Sequence, residues 1–305
     1  MKTVGLLCGR EWSWPPKFLD AVNARGAGVT AEYVRIGGTR MDVPCPYSVI
    51  VDRISHEVPY YRTYLKKAVL DGVTVVNNPF MWTADDKFFG ATLCQKLGLT
   101  HPKTIALPNK DYVPGIVPNE SLRNLEYPLD WAGVAAHVGL PCILKDAHGG
   151  GWRGVYVCHS IEEMIRFYDG TGLLTMIAQE MIQWEHYVRV MCIGRKDVLV
   201  MPYDPHARQY LDDDSVLGQP LKDKIAKDSL ALVNALGYDM NTIEWAVKGG
   251  VPYAIDFMNP APDMDIHSLT PKYFDWCVEK MADLVIHLAQ NPRPQLAETR
   301  WAALF

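Results

Sequence analysis

Short apolar runs alternate with amphipathic stretches through the first 82 residues of the chain. Apolar runs bounded by turn residues predict strands, and apolar positions recurring every three or four residues predict helices. The expected strands are residues 3–8, 30–34, 48–52 and 73–76, and the expected helices are residues 16–25 and 60–70. Strands that alternate with helices favour a small parallel sheet covered on both faces. The turn at residues 9–12 then lies at the carboxyl edge of the sheet, where open sheets bind ligands.

The rest of the chain predicts a helix, a loop-rich stretch and further strands. Residues 83–97 indicate a helix with Thr83 as N-cap, Asp85 and Asp86 in its first turn and Gly98 as its stop, so that Lys87 lies near the helix start. The expected later strands are residues 141–146, 155–158, 175–181, 188–193, 198–201, 242–247 and 251–257, and the expected later helices are residues 222–236 and 273–289. The pattern predicts an α/β (α+β) protein.

Composition narrows the class of protein. A chain of 305 residues, 49% of them hydrophobic, is long enough for two or three lobes. No apolar run approaches the roughly 20 residues of a membrane span, so we expect no membrane association. A net charge of −5 gives no basic field for a polyanion, so we expect no nucleic-acid partner.

The N-terminus and the cysteines indicate a cytoplasmic protein. The opening MKTVGLLCGREW has only a short apolar stretch, more typical of a buried first strand than of a signal peptide. Seven cysteines are an odd, widely spaced set without a CxxC pair. We therefore expect reduced thiols in a reducing compartment.

A glycine-rich turn between two strands is the sharpest local motif. Lys145 ends an apolar strand, and Gly149, Gly150, Gly151 and Gly154 precede the next one. Glycines let backbone N–H groups approach a polyphosphate closely, and a lysine at the strand end supplies a charge for it. A flexible hairpin loop is the structural alternative, and the motif is not a P-loop, because GxxxxGK[ST] is absent.

Two further segments carry polar residues among apolar ones. Residues 178–190 form a strand and a crossover that could offer backbone groups to a base and a carboxylate to a ribose. Residues 243–247 and 253–259 predict two antiparallel strands that bring Glu244 opposite Asp256, with Asn259 close by. Carboxylates in apolar strands are costly unless paired or metal-bound, and these hard oxygens suit Mg²⁺.

Taken in order, these motifs resemble the ATP-grasp superfamily from about residue 77 to residue 262. The likeness is greatest to its glutathione-synthetase-like and ribosomal-protein glutamate-ligase-like members. The resemblance implies an ATP-grasp fold in which two antiparallel sheets sandwich the nucleotide. It implies an N-terminal half-Rossmann domain at residues 1–82, a central lobe with the glycine-rich loop at residues 83–182, and a C-terminal lobe with the metal site at residues 183–305.

The resemblance also assigns roles to residues. Lys87 and Lys145 would hold ATP phosphates, and Arg189 would stabilise charge on an acyl phosphate, which makes Lys145 and Arg189 the catalytic candidates. The remaining nucleotide-binding candidates are the loop residues Gly149, Gly150, Gly151 and Gly154, the adenine-lining residues Gln179, Glu180, Met181 and Ile182, and Glu185 for the ribose. The ligands expected for one or two Mg²⁺ ions, or for Mn²⁺ in their place, are Glu244, Asp256 and Asn259.

The chain departs from the family pattern at two places. The common Glu-x-Asn is replaced by Asp256-Phe-Met-Asn259, with one residue more, which puts the metal geometry in question. Tyr187 occupies the position beside Val188 and Arg189 where an acid is often found, so Glu185 is the ribose candidate by displacement.

The implied activity is ATP-dependent, ADP-forming ligation of a carboxylate to an amine through an acyl phosphate. The substrates would be small molecules or peptides. Arginines suit carboxylate capture, which makes Arg10, Arg153 and Arg208 the substrate candidates, together with residues 263–267. The family also leads us to expect a homo-oligomer.

Three alternatives remain open. An ATP-grasp kinase or a non-catalytic ATP-binding protein would share the ATP site. Asp263, Asp265 and His267, spaced by two residues, could instead bind a transition metal in a metal-dependent hydrolase. Pro260 and Pro262 favour an irregular loop over the strand that such a site would need.

Overall fold

The computed structural model of the protein describes residues 1–81, 86–150, 153–213, 215–293 and 295. The chain forms two compact units. The first combines Met1–Thr83, His186–Trp245 and Phe257–Phe305, and the second combines Ala84–Glu185 and Ala246–Asp256. The second unit thus takes in two separate stretches of sequence, and the division into three consecutive domains stays a prediction.

A parallel four-stranded sheet begins the first unit. Its elements are β1 (Lys2–Leu7), α1 (Trp14–Ala24), β2 (Val29–Tyr33), β3 (Val49–Asp52), α2 (Pro59–Leu70) and β4 (Thr74–Val76). The strand order is β2-β1-β3-β4, and every neighbouring pair is parallel. β3 and β4 are buried along their whole length, as expected for strands in a sheet covered on both faces.

An antiparallel four-stranded sheet forms the second unit. Its elements are α3 (Lys87–Lys96), β5 (Thr104–Leu107), α4 (Pro118–Ser121), α5 (Trp131–Val138), β6 (Cys142–Asp146), β7 (Val155–Cys158), α6 (Ile161–Asp169) and β8 (Met176–Glu180). The strand order is β5-β8-β6-β7, antiparallel throughout. Val134 of α5 and Met164 of α6 join Leu144 and Met176 of the strands in one buried cluster. The two helices therefore cover one face of the sheet.

The C-terminal elements build a second sheet. They are β9 (His186–Ile193), β10 (Asp197–Asp204), β11 (Gln209–Tyr210), α7 (Gln219–Leu236), β12 (Met240–Lys248), β13 (Val251–Asn259) and α8 (Pro271–Gln290). The five strands follow the order β11-β10-β9-β12-β13. The tip of the β12–β13 hairpin belongs to the second unit.

The core of the first unit lies between α1, α8 and the strands. Trp14 and Phe18 of α1 stack at 4.7 Å and share a buried cluster with Val4 of β1 and with Tyr273 and Met281 of α8. All five side chains are at most 1% exposed. Burial of this apolar surface is the main term that holds the N-terminal and C-terminal stretches together. Among the helices that the structure describes, none has the length and apolar character of a membrane span.

The predicted fold class is confirmed, and every predicted strand overlaps an observed one. One helix start is corrected: Asp86 is the N-cap of α3 and accepts from the backbone N–H groups of Phe88 and Phe89, so the helix begins at Lys87. Thr83 and Asp85 lie outside the described residues. The sequence prediction missed β5, α4, α5, α6 and β11, although Ser160 and Glu163 carry a capping-box signature at the start of α6.

Candidate active site

The glycine-rich turn of the second unit joins β6 to β7. Lys145, on β6, is only 7% exposed. Asp146 Oδ1 accepts from the His148 N–H, and a Cβ added to Gly149 would lie 2.8 Å from the Asp146 Cβ. Gly154 has φ +65°, a backbone conformation that favours glycine. Glycine is therefore required at position 149 by the close approach of Asp146 and at position 154 by the backbone conformation. Gly151 lies outside the described residues.

Lys87 connects this turn to the end of β13. Its backbone N–H donates to the Ala147 carbonyl at 3.0 Å, and its Nζ donates to the Gly149 carbonyl at 2.6 Å. The same Nζ lies 3.6 Å from Asp256 Oδ2. Three residues predicted for phosphate and metal binding, Lys87, Gly149 and Asp256, thus meet within the second unit. The expected position of Lys87 at a helix start is confirmed.

The residues predicted to line adenine lie at the end of β8. Gln179 is buried, and its Nε2 donates to Thr104 Oγ1 at 3.0 Å. Glu180 Oε2 accepts from the Lys103 N–H at 3.2 Å, so both side chains strengthen the β5–β8 pair. After the strand ends, Met181 is exposed and Ile182 is buried. An apolar side chain beside a strand end suits a flat aromatic ligand.

The ribose candidate Glu185 precedes β9 and contacts the tip of the β12–β13 hairpin. Its Oε1 accepts from the Gly249 N–H at 3.1 Å, and its backbone N–H donates to the Val247 carbonyl at 2.8 Å. The Glu185 side chain is exposed. Its second carboxylate oxygen therefore has room for a hydroxyl donor.

In the first unit, Arg189 and Glu244 form a partly buried ion pair. Arg189 Nη2 donates to Glu244 Oε1 at 2.6 Å, and the Tyr187 hydroxyl donates to Glu244 Oε2. The Arg189 guanidinium also lies 4.0 Å from the centre of the Tyr203 ring. Burial lowers the pKa of Arg189, but Glu244 and the nearby Tyr210 outweigh that effect and raise it. Arg189 is held as a fixed cation, and its buried Nε has no hydrogen-bond partner among the residues that the structure describes.

The tyrosines around Arg189 were missed by the sequence analysis. Tyr203 lies near the end of β10 and Tyr210 on β11, and their rings meet edge-on at 5.0 Å. Burial raises the pKa of Tyr210 to about 12, against the opposing effect of Arg189. Aromatic residues on strands are usually core residues, so nothing local in the sequence marks these two as partners of an arginine.

The end of β13 is fixed by a buried amide. The Asn259 N–H donates to Asn241 Oδ1 at 2.8 Å, and Asn241 Nδ2 donates to the Phe257 carbonyl at 2.7 Å. Asn241 is fully buried and was not predicted. Asn259 itself is exposed. The bonds to Asn241 set the backbone around the extra residue in Asp256-Phe-Met-Asn259.

The predicted metal ligands divide between the units, with Glu244 and Asn259 in the first and Asp256 in the second. Within the described part of the chain, no three histidine, cysteine, aspartate or glutamate side chains come together as a metal site. Glu244, Asp256 and Asn259 stay predicted ligands.

Asp265, the central residue of the alternative metal site at residues 263–267, has a structural role. Asp265 is 2% exposed and accepts from the backbone N–H groups of Trp12, Ser13 and Trp14 at 3.0–3.1 Å and from Ser13 Oγ at 2.9 Å. Burial raises its pKa, but these hydrogen bonds outweigh burial and lower it. Asp265 therefore caps the N-terminus of α1, and the observation removes the main support for a metal-dependent hydrolase.

Arg53, which the sequence did not mark as a functional residue, also holds the turn after β1. Arg53 is 5% exposed, pairs with Glu11 and also donates to the Pro262 carbonyl. Its guanidinium lies 5.0 Å from the centre of the Trp14 ring. The predicted substrate residue Arg10 is exposed and forms no ion pair among the described residues.

The other two substrate candidates are also exposed. Arg153 follows the glycine-rich turn, and its Nε lies 3.5 Å from the Gly150 carbonyl. Arg208 adopts a left-handed backbone with φ +55° in the turn before β11. Their substrate roles stay predictions.

Comparison with known proteins gives one sequence relative. No protein-family model matches the chain. A D-alanine–D-alanine ligase of Polynucleobacter asymbioticus is 28% identical over 179 residues, which are 52% of this chain and 53% of the ligase. The match therefore spans about half the length of that relative.

Solved structures resemble nearly the whole chain. A RimK-domain ATP-grasp protein of Sphaerobacter thermophilus has a TM-score of 0.67 at 16% identity, covering 93% of this chain and 99% of that one. The D-alanine–D-alanine ligase of Bacillus anthracis complexed with ATP has a TM-score of 0.64 at 16% identity, covering 95% and 97%. The macrocyclase MdnC of Microcystis aeruginosa, bound with precursor peptide MdnA, has a TM-score of 0.61 at 15% identity, covering 95% and 100%. The chain has the ATP-grasp fold, and the predicted resemblance is confirmed at that level.

Proposed function

We propose that this protein is an ATP-dependent, ADP-forming ligase that joins a carboxylate to an amine through an acyl phosphate. The main support is the contact of Lys87 with both the Gly149 carbonyl and the Asp256 carboxylate. One ammonium group at a glycine-rich turn and beside a carboxylate is an arrangement that can hold polyphosphate together with its metal.

The residues proposed to bind the nucleotide lie in the second unit. Lys87 and Lys145 neutralise phosphate charge, and the glycine-rich turn brings backbone N–H groups to the phosphate oxygens. Glu180, Met181 and Ile182 border the base, and Glu185 accepts from a ribose hydroxyl. Lys145 lies on β6, the strand that leads into this turn, and a phosphate oxygen is a suitable partner for its ammonium group.

The carboxylates proposed as metal ligands have oxygen lone pairs available for coordination. Glu244 accepts one hydrogen bond on each carboxylate oxygen, so each oxygen keeps a further lone pair. Asp256 is more than one third exposed, and its carboxylate is anchored by Lys87. These hard oxygen donors fit Mg²⁺. When bound, the ion would screen the charge of the phosphates.

Arg189 is the proposed residue for charge that develops during phosphoryl transfer. Its guanidinium is fixed by Glu244 and by the Tyr203 ring, so no reorganisation is needed when negative charge appears nearby. A fixed cation is what stabilisation of an acyl phosphate requires.

The relatives support an amide-forming reaction on small or peptidic substrates, since one is named for joining two D-alanines and another is a macrocyclase bound with a peptide. All seven cysteines are free, which supports a reducing cytoplasm. A homo-oligomer stays an expectation from the family.

The test is phosphate release from Mg-ATP with a panel of amino acids, short peptides and amines, followed by mass spectrometry of the products. ADP formation that requires both a carboxylate and an amine, with a condensed product, is the expected result. Hydroxylamine should trap the acyl phosphate as a hydroxamate. A phosphorylated hydroxyl would show a kinase, and nucleotide binding without turnover under any pair would overturn the ligase.

A further inference from the structure

A cavity of about 560 Å³ lies in the first unit at the carboxyl ends of β1 and β2. It is lined by Leu6, Leu7 and Cys8 at the end of β1, by Tyr33 and the segment after β2, and by Tyr61 of α2. The carboxyl edge of an open parallel sheet is where such sheets bind ligands. The volume falls in the range of about 300–1,000 Å³ typical of small-molecule sites.

The cavity has an apolar floor and a polar mouth. Leu6, Leu7 and Val34 are at most 9% exposed and form the floor. Tyr33, Arg35 and Gly37 are exposed and mark the opening. A ligand that fits would bury an apolar body and leave a polar end near the mouth.

Arg35 is the charged group at this mouth. It forms no salt bridge with any described residue. Its positive charge opposes the rise in pKa that burial produces at the Cys8 thiol and the Tyr33 phenol, so it lies within electrostatic reach of both. An unpaired guanidinium at the rim of an apolar pocket is complementary to a carboxylate.

We propose that this cavity binds one substrate of the ligase, a small carboxylic acid with an aromatic or branched apolar body. Arg35 would hold a carboxylate of the ligand, the Tyr33 and Tyr61 rings would flank its body, and the β1 residues would form its floor. The role of the bound acid as a substrate rests on the proposed function. Binding of the acid to the cavity does not. It adds Arg35, Tyr33 and Tyr61 to the substrate residues predicted from sequence.

Matched probes test the carboxylate requirement. Binding of N-acetyl-L-phenylalanine and of its uncharged amide to the full chain is measured by calorimetry, with and without ATP. We expect the acid to bind and the amide to bind at least about tenfold more weakly, because one charge-assisted hydrogen bond is lost. Equal binding of acid and amide, or no binding of either, would overturn the proposal.

Two variants locate the site. Arg35→Gln should weaken binding of the acid about tenfold, whereas Arg40→Gln, in the same loop but paired with Asp42, should leave it unchanged. The bound acid should also slow alkylation of the half-buried Cys8 but not of the half-buried Cys45, which lies outside the cavity. Unchanged affinity in Arg35→Gln, or equal protection of both thiols, would count against the cavity.

Failure of the cavity and failure of the ligase give different results. If Arg35→Gln binds the acid normally while Mg-ATP turnover persists, the substrate lies elsewhere and the ligase stands. If the acid binds and protects Cys8 while no nucleotide binds, the cavity stands and the ligase fails. Thermal unfolding of Arg35→Gln checks that the exposed substitution leaves the fold intact.

Discussion

Lys87 Nζ lies 2.6 Å from the Gly149 carbonyl oxygen and 3.6 Å from Asp256 Oδ2, although the three residues come from separate stretches of the chain. A helix start, a hairpin turn and the end of a long strand thus converge on one ammonium group. The ammonium group thus has one neutral and one anionic oxygen as neighbours.

Lys87→Met should weaken ATP binding about 10- to 100-fold, because a charge-assisted hydrogen bond to phosphate is lost. Titration calorimetry with a non-hydrolysable ATP analogue measures the effect. Lys96→Met is the matched control, since Lys96 lies in the last turn of the same helix and should leave affinity unchanged. An affinity in Lys87→Met equal to that of the unmodified protein would contradict the phosphate assignment.

Gly149→Ala should disturb the glycine-rich turn, because the new Cβ would lie 2.8 Å from the Asp146 Cβ. We expect a loss of about 1–3 kcal/mol in the free energy of unfolding, the usual cost of forced overlap, together with weaker ATP binding. Gly150→Ala is the control, since apart from its chain neighbours no atom of the described residues lies within 4 Å of its added Cβ, and its backbone is not in the left-handed region that favours glycine. Urea unfolding measures the free energy of unfolding of both variants. Equal values for the two would show that the turn accommodates the added Cβ at position 149.

Local patterns in the sequence predicted much of this architecture. The β1–β4 region, the glycine-rich turn and the β12–β13 hairpin all follow from apolar periodicity and turn residues. Lys87 was placed near a helix start because acidic residues precede it, and Asp86 is indeed the N-cap. Short helices were missed: α5 has only eight residues, too few for a clear helical period.

Partners distant in sequence could not be predicted in the same way. Asp265 caps a helix that begins at Trp14, and Arg53 pairs with Glu11 beneath the same turn. No local spacing links these residues, because the sheet and α8 bring them together only after folding. From the sequence, Asp265 was therefore a candidate metal ligand. Its four hydrogen bonds to residues 12–14 show that it caps α1 instead.

Arg189→Met should lower the free energy of unfolding by about 1–3 kcal/mol, less than the 3–5 kcal/mol roughly expected for a fully buried pair. The side chains of Arg189 and Glu244 are 24% and 20% exposed, so water offsets part of the loss. Arg166→Met, which removes a pair with Glu163 whose arginine is 66% exposed, should cost about 1 kcal/mol or less.

The same variant bears on catalysis. Hydroxamate formation should fall in Arg189→Met while ATP affinity changes little, because Arg189 is assigned to the developing charge rather than to nucleotide binding. Arg189→Lys should not restore the activity, since an ammonium cannot stack on Tyr203 and bond Glu244 in the same geometry. Full activity in the lysine variant would rule out the proposed role of the fixed guanidinium.

Asp265→Asn should lower the free energy of unfolding by about 1–2 kcal/mol at pH 7, because a charged cap of three backbone N–H groups and a hydroxyl becomes neutral. The folded protein lowers the pKa of Asp265 below its unfolded value, which is near 3.9. This contribution is therefore complete above the unfolded pKa and disappears as the pH falls through the folded pKa.

The difference in stability between the unmodified protein and Asp265→Asn should accordingly be largest at neutral pH and shrink below about pH 4. Urea unfolding at pH 7, 5 and 3 measures it. Asp275→Asn, on the exposed side of α8, is the matched control for removing one carboxylate that does not cap α1. A difference that stays constant down to pH 3 would mean that the cap acts through shape and hydrogen-bond count alone. In that case the charge of Asp265 would add nothing to the anchoring of α1.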